Sequence, residues 1–482
     1  MWRASFLVTL ALFSVFPAGA ARQRPMNVLF IAVDDLRPSL GCYGDPVAIT
    51  PNLDRLAERG LLFERAYCQQ AVCNPSRTSL MTGRRPDTTR VSDLTTDFRD
   101  TIPDVLTLPQ LFREHGYHAQ AVGKIYHGVK SYAFGNGLDD ERSWSVPGWV
   151  PQLHYYHTPE GMRIAQDWFD RNRDRLVKRY PELEAQTWKE AVIRGLPWED
   201  PDVADDRVSD GRIAARAIEI LRERKDEAFF LPVGFLKPHV PFVAPKRYFD
   251  LYPLEKIAPV SNGYFPVGAP KFAGLDSREM RAYHGIPKRG PVAEGRAARE
   301  LYRAYYACVS FIDAQVGRLL DELERLELRD HTLVVLWGDH GYHLGENGFW
   351  CKQTNFELSA RVPLIISVPG QENAGARTDA LVELVDLYPS LAELCGLPLA
   401  DGLEGLSFKP LLDEPGRSWK RAAFSQYPRN LSGRGVVMGR SMRTERYRFT
   451  QWTNERGDFR VVELYDHRED PEENENLAKR PE

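Results

Sequence analysis

Apolar runs and amphipathic segments alternate along most of the chain. The run NVLFIAV at 27–33 is apolar almost throughout, which is typical of a strand buried on both faces of a parallel sheet. Similar runs predict further strands at 117–124, 228–239, 331–341 and 362–370. Apolar residues at helical spacing predict helices among these strands, at 51–60, 73–83, 107–116, 210–225 and 298–326. This order predicts an α/β fold with a doubly wound, mainly parallel sheet flanked by helices.

The pattern changes near residue 414. Beyond it, short half-exposed segments are separated by turns, which predicts a smaller C-terminal antiparallel sheet. We therefore expect a main domain at 21–413 and a C-terminal subdomain at 414–482.

The first twenty residues have the pattern of an export signal. Arg3 precedes a short apolar run, and the small residues Ala18 and Ala20 suit cleavage after Ala20. A membrane anchor is the alternative, but the run is shorter than the roughly 20 apolar residues that cross a bilayer. We expect residues 1–20 to be a signal peptide, no membrane span, and a soluble mature protein that is periplasmic or secreted.

Charge and cysteine content exclude some functions. The net charge of -4 and the pI near 6.3 give no overall basic surface, so a nucleic-acid partner has no electrostatic support. The six cysteines are irregularly spaced and include no CxxC motif, so neither a zinc knuckle nor a redox pair is predicted. A core of this size does not need disulfides, and we expect mostly buried thiols with at most one or two bridges.

Acidic residues lie at the ends of two predicted strands, Asp34 and Asp35 at one and Asp339, with His340, at another. Adjacent aspartates after a strand are more often turn or cap residues than ligands. Ligands of open α/β sheets bind beyond the carboxyl ends of the strands, however, and carboxylates gathered there repel one another unless a cation lies between them. The pattern favours a calcium or magnesium site, for which His340 would be an unusual ligand. His340 could instead be a ligand of the kind that binds zinc, or contact the metal ligands without binding the metal.

Basic side chains are expected near the same strand ends. Singly, each is more often a solvated surface residue than a functional group. Together they could clamp a tetrahedral anion beside the metal, and the histidines could transfer protons near neutral pH. These residues are Arg77, Lys124, His127, His239 and Lys352.

Cys73 begins the predicted helix 73–83, with Pro75 at an early position and Gly83 after its end. The helix N-terminus attracts anions, and Arg77 lies on the same face four residues later. An unmodified thiol there could be an acidic nucleophile. Thiol chemistry alone explains neither the acidic cluster nor the lysines.

The segment CNPSR, followed by MTGR, resembles the signature of the sulfatase family, whose cysteine is converted to formylglycine during export. The resemblance covers nearly all of the mature chain and includes FIAVDDLRP, AVGKIYH, FLKPHVPF, GDHGYHLGENGFWCK and ELYDHREDPEENENLA. Within the family, GRRPDTTRVSDL, GKIYH and GFLKPHVPF most resemble the iduronate-2-sulfatase branch. The resemblance implies an alkaline-phosphatase-like fold with its catalytic domain at 21–413. It also implies hydrolysis of sulfate esters, on 2-O-sulfated uronic acids or other sulfated glycans.

The resemblance also implies one Ca²⁺ ion and a role for each matched residue. The implied metal ligands are Asp34, Asp35, formylglycine made from Cys73, Asp339 and His340. Arg77 and Lys124 would bind the sulfate and stabilise the hydrated aldehyde, and His127 would take its proton. His239 and Lys352 would hold the sulfate and assist the departing alcohol. The implied partners are a sulfated saccharide and the formylglycine-generating enzyme.

Two other functions stay open. A phosphatase or phosphodiesterase of the same fold would have a Ser or Thr nucleophile and two transition metals, so the complete signature around Cys73 argues against it. A non-catalytic binder of sulfated glycans would have lost a catalytic position, whereas each matched residue is present.

Overall fold

The computed structural model describes residues 25–128, 140–152, 155–179, 194–258 and 260–479, so the predicted signal peptide lies outside the described residues. The described strands are β1 (Asn27–Val33), β2 (Leu61–Tyr67), β3 (His118–Ala119), β4 (Val122–Gly123), β5 (Trp198–Glu199), β6 (Phe229–Phe235), β7 (Phe242–Val243), β8 (Thr332–Gly338), β9 (His343–Leu344), β10 (Trp350–Cys351), β11 (Arg361–Val362), β12 (Leu364–Ser367), β13 (Arg377–Glu383), β14 (Ala423–Leu431), β15 (Gly435–Arg443), β16 (Tyr447–Asn454) and β17 (Arg460–Asp466). The described α-helices are α1 (Pro51–Glu58), α2 (Cys73–Thr82), α3 (Pro86–Thr89), α4 (Phe98–Thr101), α5 (Leu108–Glu114), α6 (Pro159–Arg179), α7 (Ser209–Glu223), α8 (Lys246–Phe249), α9 (Arg278–Arg281), α10 (Gly295–Arg325), α11 (Glu357–Ala360), α12 (Leu387–Leu394) and α13 (Lys409–Asp413).

The central sheet has the strand order β11-β2-β12-β8-β1-β6-β3, with β13 paired to β2 and β4 paired to β6. Strand β1 runs parallel to β8 and β6, and β6 runs parallel to β3 and β4. Strand β12 runs antiparallel to both β8 and β2. The doubly wound, mainly parallel sheet predicted from the sequence is confirmed, and its antiparallel members lie on the β12 side.

The continuous apolar run of β1 is explained by its position in the middle of the sheet. Leu29, Ile31 and Val33 pack into one hydrophobic core with residues of α7 and α10. The alternate residues Phe30 and Ala32 pack into a second core, on the other face, with residues of α2, α5 and α12. Both faces of the strand are buried, so a strict apolar–polar alternation is absent.

The segment 117–124, predicted as one strand, forms two short strands, β3 and β4, so the prediction is wrong in this respect. Between them, the carbonyl of Ala121 accepts a hydrogen bond from the N–H of Trp149, and the N–H of Gly123 donates to the carbonyl of Trp149. The N–H of Gln120 still donates to the carbonyl of Phe230 in β6, so a segment distant in sequence pairs with the opposite edge of this stretch. No local pattern indicates this partner.

The C-terminal sheet is an antiparallel meander in the order β14-β15-β16-β17, as predicted. The domain boundary expected after residue 413 coincides with the end of α13 and stays a prediction. All six cysteines lie in the described residues, and each is a free thiol. No helix within the described ranges is long and apolar enough to cross a bilayer.

Candidate active site

The carboxyl ends of β1, β4, β6 and β8 meet at one edge of the sheet, because these strands are parallel. Chemically active residues follow each of these ends: Asp34 and Asp35 after β1, Lys124 after β4, His239 after β6, and Asp339 with His340 after β8. The sequence-predicted residues therefore gather where ligands bind in open α/β sheets.

Cys73 is the first residue of α2, and its thiol points into this group. Its Sγ lies 3.4 Å from Nε2 of His340, 3.6 Å from Oδ1 of Asp34 and 3.4 Å from Nζ of Lys124. The side chain is almost completely buried. The predicted association of Cys73 with the acidic strand ends is present in the structure.

The two adjacent aspartates reach the same cluster because the chain turns sharply between them. Neighbouring side chains of an extended strand point to opposite faces. Asp35 has a φ of +60°, in the left-handed region, and therefore leaves the extended conformation directly after β1. Its backbone is fixed by a hydrogen bond from its N–H to Oδ1 of Asp339 and by one that its carbonyl accepts from Tyr305.

Arg77 is fully buried and joins three elements of the site. Its Nε donates to Oδ2 of Asp339 at 2.8 Å, and an Nη2 hydrogen is directed at Oδ1 of Asp34 at 3.1 Å. Its Nη1 donates to the carbonyls of Lys124 and Ile125. Four of its five N–H groups are thus used within the protein. These contacts fix the positions of Asp34, Asp339 and the Lys124 loop, and the sulfate-binding role of Arg77 implied by the resemblance stays a prediction.

Lys124 enters the site through a close contact between two backbones. Its N–H donates to the carbonyl of Gly234 in β6, and a Cβ at position 234 would lie only 1.9 Å from the Lys124 carbonyl oxygen. Glycine is required there because any side chain would displace the loop. The Lys124 ammonium lies 2.5 Å from Oδ2 of Asp34.

Lys352 and His239 share a carboxylate that the sequence did not indicate. Nζ of Lys352 lies 2.9 Å from Oδ2 of Asp35 and 2.9 Å from Oε2 of Glu279. Nε2 of His239 lies 3.1 Å from Oε1 of Glu279. Glu279 belongs to the short helix α9, in a charged segment away from the strand ends, where no motif or periodicity indicates a functional residue.

Charges in the site alter several pKa values. Burial alone would raise the pKa of Asp34, but Lys124 and Arg77 lower it well below its ordinary value, so Asp34 is ionised. Burial and then Asp34 raise the pKa of the Cys73 thiol, which is the opposite of the acidic thiol considered from the helix N-terminus. Burial and the positive charge of Lys124 lower the pKa of His127, which is therefore neutral near pH 7.

Each acid of the cluster has a cationic partner, so the carboxylates repel one another less than the sequence suggested. Arg77 and Lys124 pair with Asp34, Arg77 also pairs with Asp339, and Lys352 pairs with Asp35. Mutual repulsion of the carboxylates therefore does not by itself require a metal ion.

The geometry of the donor atoms fits a metal ion on other grounds. Ligand atoms of Asp34, Asp35, Cys73 and His340 all lie within 4.8 Å of one another. Nδ1 of His340 lies 3.0 Å from the carbonyl oxygen of Gly341, which can only accept, so Nδ1 carries a proton. In the neutral ring the lone pair is then on Nε2, which faces Oδ1 of Asp35 at 3.4 Å. Either a cation between these two acceptors or a proton on Nε2 would remove their repulsion, and donation of the other ring N–H to a carbonyl is the usual arrangement of a metal-ligating histidine.

A second group of potential ligands occurs in the described residues, at Glu357, His467 and Glu473. There, Arg448 and Arg443 form ion pairs with Glu357, and Arg448 also pairs with Glu473 at 2.7 Å. The arginines already balance these carboxylates. This group therefore joins α11 to the C-terminal sheet rather than providing a second metal centre.

Comparison with known proteins identifies the family. The family described as Sulfatase matches residues 26–397, and the one described as N-sulphoglucosamine sulphohydrolase, C-terminal, matches residues 345–482. The chain belongs to the sulfatase family. Among its relatives, iduronate 2-sulfatase of Mus musculus is 36% identical over 522 residues, which cover 94% of this chain and 90% of the relative. A sulfatase of Formosa agariphila is 31% identical, with coverage of 93% and 82%.

Solved structures agree on the fold of this sulfatase. One, of a protein in complex with its substrate D-glucosamine-2-N,6-O-disulfate, has a TM-score of 0.71 at 23% identity and covers 95% of this chain and 94% of its own. A phosphonate monoester hydrolase of Agrobacterium radiobacter has a TM-score of 0.68 at 24% identity, with coverage of 95% and 92%. At these identities the likeness establishes the alkaline-phosphatase-like fold alone. The sequence relatives establish that the chain is a sulfuric ester hydrolase.

Proposed function

We propose that this sulfatase removes the 2-O-sulfate of uronic acids in sulfated glycans such as glycosaminoglycan fragments. The similarity to iduronate 2-sulfatases over 94% of the chain supports this substrate class.

We further propose that the enzyme uses formylglycine, made from Cys73 by a formylglycine-generating enzyme, and one calcium ion. The observation that carries this proposal is the position of Cys73 Sγ, within 3.6 Å of Asp34, Lys124 and His340.

The absent groups would supply two kinds of chemistry. Hydrated formylglycine at position 73 would provide a hydroxyl oxygen as the nucleophile for sulfur. Calcium held by Asp34, Asp35, residue 73, Asp339 and His340 would provide Lewis-acid charge for that hydroxyl and for the sulfuryl oxygens.

The surrounding side chains perform the remaining tasks in this mechanism. Lys124 places its ammonium between Asp34 and residue 73 and holds negative charge there. Arg77 fixes the relative positions of Asp34, Asp339 and the Lys124 loop through hydrogen bonds. The neutral imidazole of His127 accepts a proton from the hydroxyl of residue 73. His239 and Lys352 direct N–H donors at the ester oxygen, because a sugar alkoxide is a poor leaving group without a proton.

The proposed location is outside the cytoplasm. Residues 1–20 have the charge, apolar run and small-residue ending of a signal peptide, and we propose that the mature enzyme is periplasmic or secreted. Sulfated polysaccharides are found there, and conversion of Cys73 would accompany export.

A substrate comparison tests the proposal. The protein is produced together with a formylglycine-generating enzyme and assayed on uronate 2-O-sulfated disaccharides, glucosamine 6-O-sulfated disaccharides, 4-nitrophenyl sulfate and 4-nitrophenyl phosphate. We expect kcat/KM to be highest for a uronate 2-O-sulfate and Cys73→Ala to lower it by at least about 1,000-fold. Calcium should restore activity to chelated protein better than zinc. A preference for the phosphate ester, or better restoration by zinc, would support the phosphatase alternative instead.

A further inference from the structure

Glu279 contacts both side chains that face the ester oxygen in the proposed mechanism. One carboxylate oxygen lies 3.1 Å from Nε2 of His239, and the other lies 2.9 Å from Nζ of Lys352. Burial alone would raise the pKa of Glu279, but Lys352 and His239 lower it well below its ordinary value, so the carboxylate is ionised. The two functional cations are thus joined by a single anion.

The contacts of His239 orient its ring. Nδ1 lies 2.6 Å from the carbonyl oxygen of Val240, which can only accept a hydrogen bond. Nε2 faces the carboxylate of Glu279, which also only accepts. The imidazolium form of the ring, with an N–H on each nitrogen, satisfies both acceptors, and it is the form that can give a proton to a leaving alcohol.

Solvent reaches part of the site. The side chains of His239 and Glu279 are 17% and 16% exposed, whereas those of Arg77 and Lys124 are 0% exposed. His127 is half-buried as well. A saccharide bound through its sulfate can therefore extend past His239 and Glu279, which lie where the alcohol departs in the proposed mechanism.

From this geometry we infer that Glu279 is a positioning residue for leaving-group protonation, holding the Nε2 side of the His239 ring and orienting the ammonium of Lys352 beside it. The inference rests on the proposed function. As the attacking oxygen bonds to sulfur, the bond from sulfur to the ester oxygen breaks and its electron pair stays on that oxygen. The Nε2 proton of His239 moves to the same oxygen, giving the alcohol and a neutral imidazole protonated on Nδ1. Glu279 stays ionised throughout.

The test compares leaving groups within one protein sample. Glu279→Gln keeps the shape of the side chain but removes the charge that stabilises the imidazolium ion. The substrates are 4-nitrophenyl sulfate, whose phenolate departs without a proton, and the sulfated disaccharide that the unsubstituted enzyme hydrolyses fastest. We expect E279Q to lower kcat on the disaccharide by about 100-fold and on 4-nitrophenyl sulfate by less than about threefold. The ratio of the two rates is independent of the fraction of folded or matured protein.

Three variants make the comparison specific. Asp276→Asn removes an exposed carboxylate three residues away and should leave both rates unchanged. Glu279→Asp keeps the charge and should recover part of the disaccharide rate. If E279Q does not fold, the ratio of the rates on the disaccharide and on 4-nitrophenyl sulfate is measured for E279D. In a His239→Gln background, E279Q should cost less than in the unsubstituted enzyme, because the part of its action that goes through His239 is already lost.

Two outcomes would overturn the inference. Equal losses on both substrates would make Glu279 a structural residue, and a faster E279Q enzyme would mean that the carboxylate blocks the place of the leaving oxygen. An unsubstituted enzyme that hydrolyses neither sulfate would instead contradict the proposed function.

Discussion

Arg77 decides how the acidic side chains of the site are arranged. It is an arginine with no exposed surface, and it bonds to two aspartates and two backbone carbonyls at once. Only a planar, forked group with several N–H donors can make these contacts together. Lysine has the same charge but a single donor centre, so it cannot join Asp34 to Asp339 and to the loop of Lys124.

Arg77→Lys should therefore lower both stability and activity. Leaving buried acids and carbonyls without donors should reduce the free energy of unfolding by about 3 kcal/mol, and the misplaced acids should lower kcat/KM by at least about 100-fold. Denaturant unfolding and a sulfatase assay measure the two effects. Arg163→Lys, at an exposed ion pair on α6, is the matched control and should change neither. An R77K enzyme equal to the unsubstituted one would contradict the role assigned to Arg77.

Hydrophobic patterns predict some, but not all, of the strands and backbone contacts that form the site. Apolar runs located β1, β6 and β8, so the residues at their ends were predictable as a group. The left-handed backbone of Asp35 and the contact of Gly234 with Lys124 depend on partners distant in sequence. The antiparallel direction of β12 was also unpredictable, because three apolar residues and a serine carry no information on strand direction.

The C-terminal sheet contains a carboxyl group that links its stability to pH. Glu463 in β17 accepts hydrogen bonds from Trp452 and Tyr465, and burial raises its pKa from 4.5 to about 7. The folded protein therefore binds this proton more tightly than the unfolded chain does. The stability contribution is present below pH 4.5 and is lost as the pH rises through about 7.

Glu463→Gln should remove this pH dependence, since the amide keeps an acceptor for Trp452 and cannot ionise. At pH 8 we expect the variant to be more stable than the unsubstituted enzyme by up to about 3 kcal/mol, relative to their difference at pH 4.5. Thermal unfolding at the two pH values measures this change. Exposed Glu469→Gln is the control, with no pH-dependent difference. The same stability difference for E463Q at both pH values would show that Glu463 titrates normally.

Across the whole molecule, one buried network links the two sheets. Arg448 of β16 pairs with Glu357 of α11 and with Glu473, so the C-terminal sheet is anchored to the segment that follows Lys352.

Most residues of the candidate site were predictable from the sequence, because they lie in the family signature or directly after predicted strands. Glu279 was missed because its helix, α9, precedes no strand and has no apolar face to indicate its place.

The mass of the tryptic peptide containing Cys73 reports whether residue 73 carries oxygen or sulfur. In the proposed mechanism residue 73 acts through oxygen, in a site where burial raises the pKa of the unmodified thiol. In protein produced with a formylglycine-generating enzyme, the peptide should be lighter than its cysteine form by the difference between a thiol and an aldehyde, and the converted fraction should rise with specific activity. Fully active protein whose peptide carries only unmodified cysteine would contradict the account.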